Sequence, residues 1–411
     1  MVMRSGNASS FLHTEIHNGD EAFDNLRMEW DQLLDASCQR VYFLRWHWNQ
    51  LWWQTFRPPH SHLFIITCRN ADDQLVGLAP LYWRQRANAG IHHIREILFL
   101  GTGIFTQTSE YLDLIARRGY EREVAEAVAE ALKSESHWDK LWLSEIPAAS
   151  IMLPHLQQAL DGDQETTACQ NAHYVDTQTN WEAFKQTLGR TTRQNTQRLA
   201  RRLFENYVCR FSRVETPEEL ERGMNALVGL HQARWQMINE PGAFAMPGME
   251  RLLREAARAA LAEDRLRLWT LQIADEIVAV QLAFLDNRTA HCFQVGFSPT
   301  YAKDSVGKVM LMLCIKDCVD DPLVREYDFM GGDQAYKECW AKAARGNLRL
   351  VWLRSGLRSL AYASLKVADQ VGRSMARAVL PSAVKVAGHR LLERRHYGDV
   401  PNLPRLTLHS R

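Results

Sequence analysis

The sequence has no C-x-x-C pair: its eight cysteines are scattered at positions 38, 68, 169, 209, 292, 314, 318 and 339. That scatter lacks the ligand spacing of zinc modules and thiol–disulfide exchangers, and predicts a reduced, metal-free chain. H-E-x-x-H, the phosphate loop G-x-x-x-x-G-K-[ST] and G-x-S-x-G are also missing. The signatures of zinc proteases, NTPases and serine hydrolases are therefore absent. No apolar run approaches the ~18 to 20 residues that span a bilayer. The opening MVMRSGNASSFLHTEI has no apolar core of a signal peptide, so the expected location is cytoplasmic. An excess of one charge is missing as well. Lys plus Arg number 49 against 48 acids, so any contact with a polyanion must be local.

At 411 residues, with 46% apolar and 24% charged residues, the chain is a soluble-globular composition too long for one core. It predicts two domains and an appendage. Residues 1–19 are polar and expected to be flexible. Over 20–165 the pattern predicts an α/β unit of mixed strands. Phe23, Leu26, Trp30, Leu33 and Leu34 recur at helical spacing. WHWNQLWWQTF is either a helix pinned under a sheet or a surface that stacks sugars or bases. HLFIITCR and QLVGLAPLYWRQR read as a hairpin, followed by strands at REILFLGTG, EYLDLIA and DKLWLSEIP. DGDQETTACQNAH reads as a connection.

Residues 166–353 repeat that grammar. Trp181 to Phe204 reads as one helix carrying five arginines, either a phosphate grip or a solvated face. Thr216-Pro217-Glu218-Glu219 is a capping-box helix start. RLRLWTLQIA, EIVAVQLAFLD and TAHCFQVGF then form an antiparallel meander. In the last strand, simple alternation sets His291, Phe293, Val295 and Phe297 on one face, with Cys292, Gln294 and Gly296 on the other. Gly296 marks a bulge or a close backbone approach. Asp304 or Ser305 caps the next helix. Gly307 leaves its first-turn N–H groups accessible to an anion, with Lys308 adding charge.

YDFMGGDQAYKECW carries the densest polar chemistry. Asp328 is either a proton acceptor or a local backbone cap. Tyr336 is a hydrogen-bond donor or acid. Lys337 is either an anion partner or half of a surface pair. Gly331-Gly332 permits a sharp turn. His231, Arg234 and Trp235, from the capped helix, are candidates for the acceptor side.

This succession resembles the acetyl-CoA-binding core of the GNAT N-acyltransferases. LGRTTRQNTQRLARRLFE, LHQARWQMINEPGAF, QVGFSPTYAKDSVGKVML and YDFMGGDQAYKECWA resemble the cellulose-biosynthesis (CelD/BcsL-like) branch. The resemblance implies an α/β (α+β) fold of two tandem GNAT-like domains, as in the FemABX transferases, with mixed central sheets flanked by helices. It implies acetyl-CoA or another acyl-CoA as co-substrate, held by Gln294, Val295, Gly296 and the Asp304, Ser305, Val306, Gly307, Lys308 turn. That turn has one glycine where the superfamily's loop has two small positions. Asp328, Tyr336 and Lys337 are then the expected catalytic residues, and His231, Arg234, Trp235, Gly332 and Asp333 the expected acceptor contacts.

The reaction so implied is direct acyl transfer to an amine or hydroxyl of a sugar, polysaccharide precursor or small molecule. The alternatives are a FemABX-like aminoacyltransferase using tRNA and a non-catalytic accessory protein of polysaccharide synthesis. Residues 354–411 hold eleven Lys and Arg against three acids and predict a basic amphipathic tail. Such a tail packs on the protein or lies on the inner membrane face.

Overall fold

The computed structural model describes residues 12–88, 92–104, 108–160, 162–332 and 334–354. The expected basic tail and Asp333 lie outside them. The first half runs β1 (His13–His17), α1 (Glu21–Asp35), α2 (Trp46–Phe56), β2 (Ser61–Leu63), β3 (Ile65–Arg69), β4 (Leu75–Ala79) and β5 (Leu81–Asn88). It continues with β6 (His92–Phe99), β7 (Ile115–Ala116), α3 (Glu121–Ser134), β8 (Lys140–Pro147), α4 (Met152–Ala159) and β9 (Gln164–Asp176). The second half runs α5 (Trp181–Thr187), α6 (Arg190–Asn206), β10 (Cys209–Arg213), α7 (Pro217–Met237), α8 (Met249–Ala262), β11 (Leu266–Ile273) and β12 (Glu276–Asp286). It ends with β13 (Thr289–Phe297), α9 (Val306–Asp320), β14 (Glu326–Gly331), α10 (Ala335–Trp340) and β15 (Ala343–Leu353).

One order of elements occurs twice: a strand, two helices, three antiparallel strands, a helix, a parallel strand, a helix and a last strand. It is β1-α1-α2-β3-β4/β5-β6-α3-β8-α4-β9 in the first unit and β10-α7-α8-β11-β12-β13-α9-β14-α10-β15 in the second. Pro80 divides the strand of the first unit into β4, in a four-stranded sheet, and β5, in the large one. The large sheet runs β10-β11-β12-β13-β14-β9-β15-β8-β6-β5-β2 and is mixed, flanked by helices.

The centre of that order exchanges strands between units. β9, which ends the first unit, pairs with β14 of the second, while β15 pairs with both β9 and β8. Segment 161–173, expected as a connection, therefore contributes most of β9. Its polarity misled because the strand is hydrogen-bonded on both edges while its faces stay half-exposed. The expected boundary at 165/166 falls inside this strand. Residues 13–17, expected to be loose, are likewise a polar edge strand on β3.

The aromatic run of α2 is a core element. Trp46, Trp48, Trp52 and Trp53 are buried, and each indole N–H finds an acceptor: Phe23 O, Ser109 Oγ, Thr108 Oγ1 and Asp20 Oδ1. A buried indole without such a partner would lose roughly 1–3 kcal/mol. The units meet here. Tyr42 stacks on Phe284 at 4.3 Å, and buried Arg45 grips Asp286 at 2.6 and 3.0 Å. In the second unit the capping box is formed: the Thr216 hydroxyl accepts from Glu219 N at 3.2 Å, and Glu219 accepts from Thr216 N. The arginine-rich stretch is two helices, because Leu188 and Gly189 adopt extended ψ near 145° and 142°. Of EYLDLIA, only Ile115–Ala116 is strand. Among the described residues, no helix is long and apolar enough to cross a membrane.

Candidate functional site

Each unit contains a parallel strand pair that touches briefly and then parts. β6 and β8 pair over Glu96–Leu98 against Lys140–Trp142. β13 and β14 pair over Thr289–His291 against Glu326–Asp328. Beyond those three residues the facing edges separate, leaving backbone donors and acceptors that need other partners. In the first unit the chain itself enters the gap, and Leu112 N–H donates to Glu145 O at 2.8 Å. In the second unit the opening is flanked by Phe329 and by the half-exposed Tyr336 of α10, whose rings lie 6.2 Å apart. α9 starts at its outer end.

A β-bulge shapes the second opening. Leu282 faces Gln294 but Ala283 faces Cys292, so Phe293 is an extra residue. The expected alternation fails at this point. His291 and Phe293 face Phe43 of the first unit, while Phe297 packs with the opposite core, beneath α9.

The segment filling the first gap reaches across to the second. Both Glu110 carboxylate oxygens accept the Gly331 N–H, at 2.9 and 2.8 Å, three residues past the parting of β13 and β14. The Tyr111 hydroxyl donates to Asp328 Oδ2 at 2.8 Å. Asp328, fully buried, also accepts Met330 N–H at 2.7 Å and stands 3.6 Å from Arg345 Nε. Arg345 is shared with Glu326. Buried Lys337 donates to Met330 O at 3.0 Å and Gly331 O at 2.7 Å. The Asn347 amide donates to Glu145 at 3.2 Å.

The cluster is strained as well as charged. Tyr111, Glu145 and Met330 all have positive φ, at 59°, 63° and 58°, a conformation that costs a residue with a Cβ roughly 1–3 kcal/mol. Three strained residues on three converging segments show that the surrounding contacts over-determine this geometry. Burial, and next the Asp328 and Glu145 carboxylates, push Glu110 up to about 8, against the opposing pull of Gly331 N–H and Lys337. Burial and the adjacent Asp328 push the Tyr111 phenol well above its usual value. A carboxyl that titrates near neutrality can exchange protons with a reacting group at physiological pH.

The expected residues sort into two groups around this opening. Asp328 and Lys337 are at its apex. Asp328 does cap local backbone, and it also joins the units; Lys337 is buried on two carbonyls. Gly332 forms the turn with φ +113°, and the Gln170 side chain occupies the space beside Gly331. Tyr336, Arg234, Gln294, Val295 and the turn to Gly307 lie toward the outer end. There, Asp304 does not cap α9: it accepts from Tyr207 OH at 3.2 Å and faces Arg202 at 3.7 Å. Ser305 occupies the N-cap in a left-handed conformation, φ 54°, without a side-chain bond. Val306 is buried in α9's packing face and Lys308 is exposed.

Both glycines are explained by packing. A Cβ on Gly296 would stand 2.9 Å from His231 N and Leu227 O, so the strand approaches the α7 backbone. A Cβ on Gly307 would meet the Phe297 ring at 2.9 Å. His231 is also committed. Its Nε2 accepts the Trp235 indole at 3.0 Å and its Nδ1 lies 3.2 Å from Gln232 Oε1. Burial pulls it down to about 4, so it is neutral and positions Trp235. Burial pushes the Cys292 thiol up to about 12. Among the described residues no group of three or more His, Cys, Asp or Glu could hold a metal ion. Sequence reasoning missed Glu110, Tyr111, Glu145 and Arg345. For Glu110 and Tyr111 the signal was the pair of polar residues opening EYLDLIA, whose one further polar residue is Asp113; Glu145 and Arg345 carried none.

Comparison with known proteins agrees with this topology. Residues 190–338 match the family model described as Acetyltransferase (GNAT) domain, which spans the opening. The chain is similar in fold to FemX, with a TM-score of 0.55 at 9% identity, covering 83% of this chain and 97% of that one. A conserved protein of unknown function from Bacteroides thetaiotaomicron gives 0.52 at 11%, covering 83% and 100%. L-PGS from Bacillus licheniformis gives 0.50 at 12%, covering 80% and 93%. At such identities the likeness is one of fold. No curated protein matches the sequence.

Proposed function

We propose that the second unit transfers an acyl group from acyl-CoA to an amine or hydroxyl of a sugar, polysaccharide precursor or small molecule. The observation that carries this is the β13/β14 opening. Two parallel strands part after three paired residues, next to a bulge and ahead of a helix N-terminus. Met330 and Gly331 of β14 are already bonded to Asp328, Glu110 and Lys337, so it is the β13 edge beyond His291 that suits the amides of a pantetheine arm, and the first turn of α9 suits a phosphate. The match of residues 190–338 to a GNAT-type domain supports the same donor.

In this reading the acceptor's lone pair attacks the thioester carbonyl directly. Glu110, in the ionised form that gains population as pH rises toward about 8, accepts the acceptor's proton at the apex. The C–S bond breaks with its electrons on sulfur, and Tyr336 donates a proton to the leaving thiolate. Asp328 and Lys337 hold the Met330–Gly332 turn in place. A cysteine nucleophile is disfavoured because Cys292 holds its proton to about 12. Replacing Cys292 and Cys339 together by alanine should leave turnover largely intact. Calorimetric titration of the full chain with acetyl-CoA, longer acyl-CoAs and free CoA tests the donor; absence of binding to all of them defeats the reading. A second reading, aminoacyl transfer from tRNA, is favoured by the exposed Arg190, Arg198, Arg201 and Arg202 on α6. It predicts binding of charged tRNA in place of CoA.

A further inference from the structure

Arg234 is a half-buried guanidinium that no acid answers among the described residues. It lies in the last turn of α7, its guanidinium carbon 4.9 Å from the Trp235 ring centre and 5.2 Å from that of Phe297. Its Nε is shut off from solvent and has no hydrogen-bond partner. Burial lowers its proton affinity, and among the described residues the Tyr336 phenol is what offsets this. By contrast Arg45, Arg84, Arg267 and Arg345 each keep a carboxylate in ion-pair range. The nearby acid Asp304 is held by Tyr207 and Arg202.

The position of this cation is informative. Phe297 fills the space beside Gly307, so Arg234, the Phe297 ring and the first turn of α9 are contiguous at the outer end of the opening. Tyr336 bounds them from α10. A desolvated guanidinium without a counter-ion is costly, and its forked N–H groups match an oxyanion.

We infer that Arg234 binds a phosphate group carried by a ligand of the β13/β14 opening. It supplies, from a different helix, the positive charge that a one-glycine turn at Gly307 does not. The phosphate belongs either to the donor or to a phosphorylated acceptor. The inference rests on the opening being a ligand site, as the acyltransferase reading holds, and its first test does not depend on the donor.

The experiment is calorimetry of the full chain and of R234Q and R234K, with thermal melts confirming that both variants fold. The probes are inorganic pyrophosphate, CoA and pantetheine. Loss of a charge-assisted contact should weaken pyrophosphate by roughly 10- to 100-fold in R234Q, less in R234K, and leave pantetheine unchanged. If CoA weakens in step, the phosphate is the donor's; if CoA is unaffected, it is the acceptor's. Should wild type bind no CoA while pyrophosphate binding still needs Arg234, the acyltransferase reading falls and this site stands. Pyrophosphate binding that is equal in R234Q, or absent in wild type, overturns the inference.

Discussion

Replacing Glu110 by Gln isolates one ionisation in the seam between the units. Gln keeps the shape and an acceptor oxygen for Gly331 N–H, so the packing is preserved while the titration is removed. In the folded protein the Glu110 carboxyl is pushed from 4.5 up to about 8. The folded state therefore holds this proton over a range in which the unfolded chain has released it. The stability from that proton is complete below about 4.5 and is lost as pH climbs to about 8. Each tenfold change in proton affinity is worth about 1.4 kcal/mol, so the full span approaches roughly 5 kcal/mol. Urea denaturation of both proteins at steps from pH 5 to 9 provides the measurement. Wild-type stability relative to E110Q should fall with rising pH and level off above about 8. Burial also pushes Asp113 up to about 7, but it titrates in both proteins and cancels in the difference. Two parallel pH curves would refute the reasoning, because Glu110 would then ionise as an ordinary carboxyl in the fold.

Two further substitutions probe what holds the opening. Asp328→Ala strands the Tyr111 hydroxyl and removes one of the two carboxylates beside Arg345. It should cost roughly 3–5 kcal/mol, read as a lowered denaturation midpoint; a loss under about 1 kcal/mol would show that the cluster does not join the units. Gly296→Ala places a Cβ 2.9 Å from backbone atoms of α7, which cannot swing aside, and should cost about 1–3 kcal/mol. Gly307→Ala meets the Phe297 ring first, at 2.9 Å, and a side-chain ring can turn. Its thermal stability should change less than that of Gly296→Ala, and equal losses would contradict this account.

The parts legible in the sequence are those set by local rules. The Thr216–Glu219 capping box and the β11–β13 meander follow from caps and periodicity alone. The two glycines show where that legibility ends. Sequence indicates that a Cβ is excluded at Gly296 and Gly307 without saying by what. An approaching ligand and an approaching α7 backbone or Phe297 ring leave the same mark. Glu110 and Tyr111 were hidden for a different reason. Their partners, Gly331 and Asp328, lie more than two hundred residues away, and one left-handed residue in EYLDLIA turns an expected strand into the segment that closes one gap and reaches another. The single polar strand β9 concealed the exchange between units in the same way, since pairing on both edges does not require apolar faces.

That exchange makes a last prediction, about cutting the chain. Division between Asp176 and Thr177 follows the apparent repeat, yet it leaves β9 in one piece and both its partners in the other. The second piece would expose β14 along Glu326–Gly331 and β15 along Ala343–Trp352, two edges now filled by β9. The first would expose β8, which now pairs with β15, and would leave Glu110 facing water. Unpaired strand edges of this length are templates for aggregation. Each piece expressed alone should therefore be insoluble or self-associated, whereas co-expressed pieces should purify as one complex. A soluble, monomeric second piece with a cooperative melt would contradict this. It would mean that the opening between β13 and β14 is built without the first unit, and that Glu110 and Tyr111 are incidental to it.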